Sequence, residues 1–273
     1  MPPATYLADI VAAHRARAAE DPRDLDALVE AAEASPAPRG FVGALTAVGA
    51  EDRHGLAVVA EVKRRSPSKG DLAVDLDPAS VARDYAAGGA ACLSVLTDAV
   101  YFGARPGDLA AARGACALPV LRKDFTVAEA DVCDARLMGA DAVLLIVAAL
   151  SDDELRRFSS LAARLGLDAL VEVHDERELE RALGAGASLV GVNQRDLTTF
   201  EVDPARAERV GAAIPASVVA VAESGIRGAP DARRLAQAGF DAVLVGETVV
   251  TAADRAGAVR AMCGHPVGER ARC

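Results

Sequence analysis

The sequence contains no tryptophan, and aromatic residues make up only 3% of its 273 positions. No apolar run reaches the roughly 18 residues that a membrane-spanning helix needs. The N-terminus also lacks the apolar core of a signal peptide. The net charge of −10 is opposite to the basic balance of a nucleic-acid-binding protein. These absences predict a cytoplasmic protein that binds neither membrane nor nucleic acid.

Recognisable metal and dinucleotide motifs are absent too. The five cysteines are scattered without a CxxC pair, and the four histidines form no HExxH motif. We therefore expect no metal site, and we expect the cysteines to be thiols of a reducing compartment. No GxGxxG follows the first apolar strand, which disfavours a dinucleotide-binding fold. His174 lies two residues after a strand-end glutamate and is a weaker candidate for a site.

From residue 58 onward, short apolar runs alternate with amphipathic stretches. Eight runs have the length of strands: 58–63, 91–96, 119–123, 141–147, 167–173, 188–193, 217–223 and 241–246. Helical stretches between them include 77–89, 127–140, 151–166, 175–187 and 229–239. This α/β pattern predicts a (β/α)8 TIM barrel, with a doubly wound open sheet as the alternative.

Residues 1–57 lie outside the repeat and contain helical stretches at about 5–19 and 24–34. We expect this segment to be an N-terminal helical extension that packs on the barrel and could cover one of its ends. The barrel is predicted to span 58–262, followed by a C-terminal tail at 263–273.

Polar side chains interrupt the apolar strands near their carboxyl ends, where TIM barrels place active sites. The interrupting residues are Glu61, Lys63, Lys123, Glu172, Asn193 and Glu223. Any one of them could be simply the first solvated residue after a strand. Together they predict a shared site, because ionised groups removed from water cost several kcal/mol each unless they are paired. Converging lysines and glutamates can also shift one another's pKa values into a range suited to acid–base catalysis.

A phosphate site is predicted from the segments AESGI (222–226) and LVGET (244–248). Loops after the seventh and eighth strands of such barrels often bind phosphate, and helix N-termini favour anions. Ser66 and Lys63 from the first strand–helix unit could join them.

The scarce aromatic residues include Phe102 and Phe125, which follow predicted strands. They predict a flat apolar pocket, with core packing as the alternative. Pro67, Leu144 and Leu197 could contribute to the same wall.

Eight segments in order carry a resemblance to a known family: AEVKRRSPSKG, SVLTDAVYFG, LRKDF, GADAVLLI, LVEVH, GVNQRDL, VAESGI and LVGE. Over about residues 5–250 the chain resembles indole-3-glycerol phosphate synthases. The resemblance implies a barrel with an N-terminal helical extension. It also implies a carboxy-lyase of tryptophan biosynthesis that uses no cofactor or metal. That enzyme closes, decarboxylates and dehydrates 1-(2-carboxyphenylamino)-1-deoxyribulose 5-phosphate.

By this resemblance, Lys123 or Lys63 donates a proton to the substrate carbonyl, and Lys63 also faces the substrate carboxylate. Glu172 is the candidate base for the dehydration. Glu61 holds the lysines or shares the proton transfer, and Asn193 orients a hydroxyl. Glu223 is assigned to the same catalytic group.

The resemblance also divides the remaining residues between the two ends of the substrate. Those implied at the phosphate are Ser66, Arg195, Ser224, Gly225 and Gly246. Those implied at the anthranilate ring are Pro67, Phe102, Phe125, Leu144 and Leu197. The loop RRSPSKG is expected to be mobile, with Arg64 and Arg65 as solvated charges. Glu247 is left out because a carboxylate would repel phosphate.

Two alternatives stay open at this point. A phosphoribosylanthranilate isomerase-like barrel enzyme should carry a cysteine or aspartate acid–base pair at its strand ends. A non-catalytic phosphate-ligand-binding barrel should have lost Lys123 or Glu172, and both are present. The expected partners are a phosphorylated small-molecule substrate and other tryptophan-pathway enzymes.

Overall fold

A computed structural model describes residues 6–50, 53–67, 69–196 and 201–270. Within these residues, eight parallel strands close into a barrel. They are β1 (Ala57–Val62), β2 (Cys92–Leu96), β3 (Val120–Lys123), β4 (Ala142–Ile146), β5 (Asp168–Val173), β6 (Leu189–Asn193), β7 (Val219–Glu223) and β8 (Ala242–Val245). Their order around the barrel follows the chain, and β8 pairs with β1. The predicted TIM barrel is confirmed, and the open-sheet alternative is wrong.

The helices follow the predicted rhythm. In chain order they are α1 (Tyr6–Ala19), α2 (Leu25–Glu33), α3 (Phe41–Thr46), α4 (Pro78–Ala87), α5 (Ala99–Phe102), α6 (Asp108–Ala115), α7 (Glu129–Leu137), α8 (Asp152–Arg164), α9 (Glu176–Gly184), α10 (Pro204–Gly211), α11 (Ala229–Gln237), α12 (Glu247–Val250) and α13 (Arg255–Arg260). Ser151 begins α8 with a capping box to Glu154, as expected for a Ser-x-x-Glu sequence. None of the described helices is long and apolar enough to cross a membrane.

The barrel strands are buried on both faces, because helices cover the outside and side chains fill the inside. On β1, Val58, Ala60 and Val62 belong to the core formed with the outer helices. Ala57 and Val59 belong to the core inside the barrel. Side chains alternate along a strand, so the residues that follow Val59 at intervals of two also face inward.

The N-terminal helices contact both ends of the barrel. Phe41 and Leu45 of α3 are fully buried in the inner core at the amino-terminal end of the strands. Leu7 and Ile10 of α1 instead reach the carboxyl-terminal end, called the mouth below. The described part of the extension therefore contacts both ends of the barrel, because α1 and α3 lie at opposite ends. From the sequence we expected it to cover one end. The division of the chain into extension, barrel and tail stays a prediction.

The C-terminal tail, as far as residue 270, is attached to the strand starts. The Leu56 N–H donates to the His265 carbonyl at 2.8 Å. The Arg270 guanidinium donates to Asp241 Oδ2 at 2.8 Å and to the Val218 carbonyl at 2.7 Å. These contacts lie at the opposite end of the barrel from the mouth.

Candidate active site

A cavity of about 490 Å³ opens at the mouth of the barrel. Its lining includes all the strand-end polar residues predicted from the sequence: Glu61, Lys63, Lys123, Glu172, Asn193 and Glu223. The strand period explains the convergence. Each of these residues follows, two positions later in the chain, a residue that faces the barrel interior, as Glu172 follows Leu170.

Glu61 and Lys63 form one ion pair in the cavity. Lys63 Nζ hydrogen-bonds Glu61 Oε1, and the Glu61 side chain is only 5% exposed. The Glu61 carbonyl accepts a hydrogen bond from the Tyr85 hydroxyl at 3.1 Å, which fixes the strand end. A Cβ atom on Gly246 would lie 2.3 Å from Glu61 Oε1 and 2.8 Å from Lys63 Nζ. Glycine at the end of β8 therefore leaves the space that this pair occupies.

Lys123 lies between two carboxylates. Its Nζ is 3.0 Å from Glu172 Oε2 and 3.4 Å from Glu223 Oε2. Burial alone would lower the pKa of Lys123, but the charges of Glu172, Glu223 and Glu61 outweigh burial and raise it. Lys123 is therefore a charged ammonium in the resting site.

The two carboxylates beside Lys123 differ in their protonation. Burial would raise the pKa of Glu172, but Lys123, His174 and the hydrogen bond from Asn193 Nδ2, 3.0 Å long, lower it overall. Burial raises the pKa of Glu223 to about 7, and the charges of Glu172 and Glu61 act in the same direction. One carboxylate is thus held ionised while its neighbour titrates near neutral pH, which is the arrangement that acid–base catalysis uses.

The residues predicted to bind phosphate lie along one side of the same cavity: Ser66, Arg195, Ser224, Gly225 and Gly246. Ser224 and Gly225 form a tight turn with φ angles of 67° and 70°. A Cβ on Gly225 would lie 2.3 Å from Val202 Cγ1, so both backbone and space require glycine there. The Arg195 N–H donates to Asn193 Oδ1 at 3.0 Å, which links this side to the acid–base cluster.

Apolar residues form the opposite wall. Phe102 and Phe125 lie with ring centroids 6.3 Å apart, and Pro67 and Leu144 line the same cavity. Leu197 lies outside the described residues. The cavity also has apolar lining residues that sequence reasoning missed: Leu7, Ile10, Leu96, Ile146 and Val202. For Leu7 and Ile10 the only signal in the sequence was the predicted helix at about 5–19, which does not reveal what that helix packs against.

The basic loop after β1 departs from expectation at one residue. Arg64 is buried, and its guanidinium bonds Asp108 Oδ1 at 2.8 Å and the Leu76 carbonyl at 2.5 Å. The expectation that Arg64 is solvated is wrong, because its side chain turns inward to anchor the loop on α6. Arg65 is exposed and pairs with Asp71.

The distribution of lysine in the chain is unusual. The sequence has three lysines, Lys63, Lys69 and Lys123, against 27 arginines. All three lysines line the cavity. Lys69 Nζ lies 3.8 Å from Glu247 Oε1 across the mouth. Glu247 thus borders the cavity with a cation beside it, although it was left out of the predicted phosphate site because a carboxylate would repel phosphate.

Beside the cavity, His14, Asp98 and Asp124 bring possible metal-ligating atoms within 4.8 Å of one another. His14 Nε2 is 2.9 Å from Asp98 Oδ2, and Arg122 Nη2 donates to Asp124 Oδ2 at 3.1 Å. A guanidinium on the carboxylate disfavours a cation there, so the geometry suits an ion-pair cluster. The expectation that the protein uses no metal stays a prediction.

Comparison with known proteins gives consistent results. The family model described as indole-3-glycerol phosphate synthase matches residues 7–262. An indole-3-glycerol phosphate synthase of Nocardioides sp. is 56% identical over 210 residues, covering 77% of this chain and 81% of that protein. Indole-3-glycerol phosphate synthase 2 of Streptomyces coelicolor is 50% identical over 237 residues, covering 87% and 90%. The Mycolicibacterium vanbaalenii synthase is 48% identical over 258 residues, covering 94% and 93%.

Among solved structures, the thiamine phosphate pyrophosphorylase of Pyrococcus furiosus superposes with a TM-score of 0.55. The match covers 76% of this chain and 93% of that chain, at 18% sequence identity. At that identity the similarity shows the barrel fold and nothing about chemistry.

Proposed function

The chain belongs to the indole-3-glycerol phosphate synthase family, and from that membership we propose how its cavity carries out the family's reaction. The enzyme converts 1-(2-carboxyphenylamino)-1-deoxyribulose 5-phosphate to indole-3-glycerol phosphate. The observation that carries the assignment of roles is the buried cluster of Lys123, Glu172 and Glu223 at the mouth. Family membership, together with this intact cluster, opposes both the isomerase-like and the non-catalytic alternatives.

Ring closure needs a proton at the substrate carbonyl. A ring carbon forms a bond to the ketone carbon, and the carbonyl oxygen takes a proton and becomes a hydroxyl. Lys123 is the assigned proton donor, because it is a buried ammonium positioned by ion pairs with two carboxylates. Carbon dioxide then leaves, and its bonding electron pair returns to the ring system.

Dehydration needs an acid and a base on one intermediate. The new hydroxyl departs as water after taking a proton, and a base removes a ring-side proton to complete the indole. Glu172 is the assigned base, because Lys123 and Asn193 hold it ionised and oriented. Glu223 titrates near neutral pH and can exchange protons with Lys123 between the steps.

Lys63 and Asn193 are assigned to orienting the substrate. The Lys63 ammonium is oriented by Glu61 and would attract the substrate carboxylate before carbon dioxide leaves. Asn193 accepts from the Arg195 N–H and donates to Glu172, and it would orient a substrate hydroxyl between them.

The two ends of the cavity match the two ends of the substrate. The turn at Ser224 and Gly225, with Ser66, Arg195 and Gly246, would hold the phosphate through backbone and side-chain donors. The opposite wall of Phe102, Phe125, Pro67 and Leu144 would hold the anthranilate ring, and Leu197 is proposed for the same wall from the resemblance alone. A cytoplasmic location and association with other tryptophan-pathway enzymes are also proposed, to be tested by cell fractionation and co-purification.

The test compares single-turnover rates of Lys123→Met and Glu172→Gln with the wild-type protein. Each variant should lose roughly 10²-fold or more, the usual contribution of a positioned proton-transfer group. Glu180→Gln, an exposed change on α9, is the matched control and should keep the wild-type rate. Near-normal turnover in a folded Lys123 or Glu172 variant would remove that residue from the mechanism.

A further inference from the structure

His174 lies behind Glu172, one residue beyond the end of β5. Its side chain is 12% exposed, and it is not among the residues that line the cavity. Any effect of His174 on the reaction must therefore pass through another residue.

Both ring nitrogens of His174 face carboxylates. Nδ1 is 3.0 Å from Glu178 Oε2, and the backbone N–H of His174 donates to the same oxygen at 2.8 Å. Nε2 is 3.5 Å from Glu172 Oε1 and is buried without a hydrogen-bond partner among the described residues. Glu178 is itself fixed in the first turn of α9, where its N–H donates to Asp175.

This geometry fits one charge state of the ring. A neutral imidazole has one bare lone pair, which here would point at a carboxylate oxygen on one side or the other. An imidazolium has a donor on each nitrogen, one for Glu178 and one for Glu172.

The charged groups around His174 favour the same state. They come from β5 (Glu172), α9 (Glu178) and α10 (Arg206). Burial and Arg206 would lower the pKa of His174, but the hydrogen bond that His174 donates to Glu178 and the charges of both glutamates outweigh them and raise it.

We propose that His174 is a positioning residue: an imidazolium, held by Glu178, that keeps Glu172 ionised and aimed into the cavity. The inference rests on the proposed role of Glu172 as the base. Burial of the Glu172 carboxylate favours its protonation, and nearby cations oppose it. His174 supplies a positive charge beside Glu172 Oε1, whereas Lys123 binds Glu172 Oε2.

The first experiment measures the charge directly. Histidine labelled with ¹⁵N gives ring signals that distinguish imidazolium from neutral imidazole, and a His174→Asn spectrum assigns the signal of His174. In the wild-type protein at pH 7, both nitrogens should give imidazolium shifts, and Glu178→Gln should lower the midpoint of their titration. A neutral His174 in the wild-type protein would overturn the inference, and this measurement requires no variant to be active.

The second experiment measures the effect on catalysis. In the pH profile of kcat/KM, His174→Asn should raise the pKa of the acid limb by about one unit, because Glu172 loses a cationic neighbour. His174→Gln, whose amide can still donate toward Glu172, should keep a higher kcat than His174→Asn. His265→Asn, at the far end of the barrel, is the matched control and should change neither value.

The two proposals fail in different ways. An acid limb that stays in place in folded His174→Asn overturns the positioning role. Full activity in Glu172→Gln, with a charged His174 still present, would instead overturn the assignment of Glu172 as the base.

Discussion

Gly246→Ala tests whether the Glu61–Lys63 pair must occupy its exact space for the reaction. The φ angle of Gly246 is −114°, so alanine introduces no left-handed backbone strain. Its Cβ would lie 2.3 Å from Glu61 Oε1, whereas ordinary contact begins at 3.4 Å. The carboxylate, and the ammonium bound to it, must therefore move by about 1 Å.

A displacement of that size has a large kinetic effect and a small structural one. Moving a reacting or orienting group by about 1 Å can cost on the order of 10²-fold in rate. The displaced atoms are ends of flexible side chains, so we expect the free energy of unfolding to fall by only about 1 kcal/mol, the low end for overpacking. Gly246→Ala should thus lose roughly 10²-fold in kcat while staying folded.

The assay is continuous indole fluorescence, with thermal unfolding measured in parallel. Gly114→Ala on α6 is the matched control, since a Cβ there meets nothing within 4 Å. It should keep the wild-type kcat, and helix propensity should stabilise it by up to about 1 kcal/mol. Wild-type kcat in folded Gly246→Ala would refute the role given to the Glu61–Lys63 pair.

Three further predictions address the phosphate, the acidic cluster and metals. Ser224→Ala should raise KM more than it lowers kcat, and inorganic phosphate should compete with substrate; equally tight binding of a dephosphorylated substrate would contradict the phosphate site. The pKa of Glu223 is raised from 4.5 to about 7, so the folded state binds the extra proton and Glu223 contributes stability that falls as pH rises through this window. As the pH increases from 4.5 to about 7, the free energy of unfolding of Glu223→Gln should therefore rise relative to that of the wild-type protein. If the difference between the two proteins stays constant over this range, the raised pKa of Glu223 is contradicted. Dialysis against EDTA should leave activity unchanged, and a loss restored by Mg²⁺ or Zn²⁺ would overturn the metal-free expectation.

The strand-end residues could be predicted from sequence because two rules act together. Alternation fixes which side chains face the barrel interior, and burial makes an ionisable residue on an apolar strand costly unless it is paired. Glu61 with Lys63, and Lys123 with Glu172, are paired as those rules require. The repeated strand–helix unit predicts eight parallel strands, but their closure into a barrel, rather than an open sheet, is shown by the pairing of β8 with β1.

Other features depend on tertiary contacts that periodicity does not encode. The sequence predicts a helix at about 5–19, but packing decides that Leu7 and Ile10 of that helix face the cavity. From the sequence Arg64 is expected to be a solvated loop residue. Its hydrogen bond to Asp108, 2.8 Å long, depends on the conformation of the loop. The requirement for glycine at Gly246 is likewise visible only when β8 and β1 are adjacent.

The synthase activity is tested most directly by measuring product from purified protein and 1-(2-carboxyphenylamino)-1-deoxyribulose 5-phosphate alone. The chain has no tryptophan and only three tyrosines, so an indole product is detected against very little protein fluorescence. The indole emission should grow, with one carbon dioxide released per product, and Glu172→Gln should lose the indole emission. A flat trace from folded protein that still binds the substrate would contradict the synthase activity.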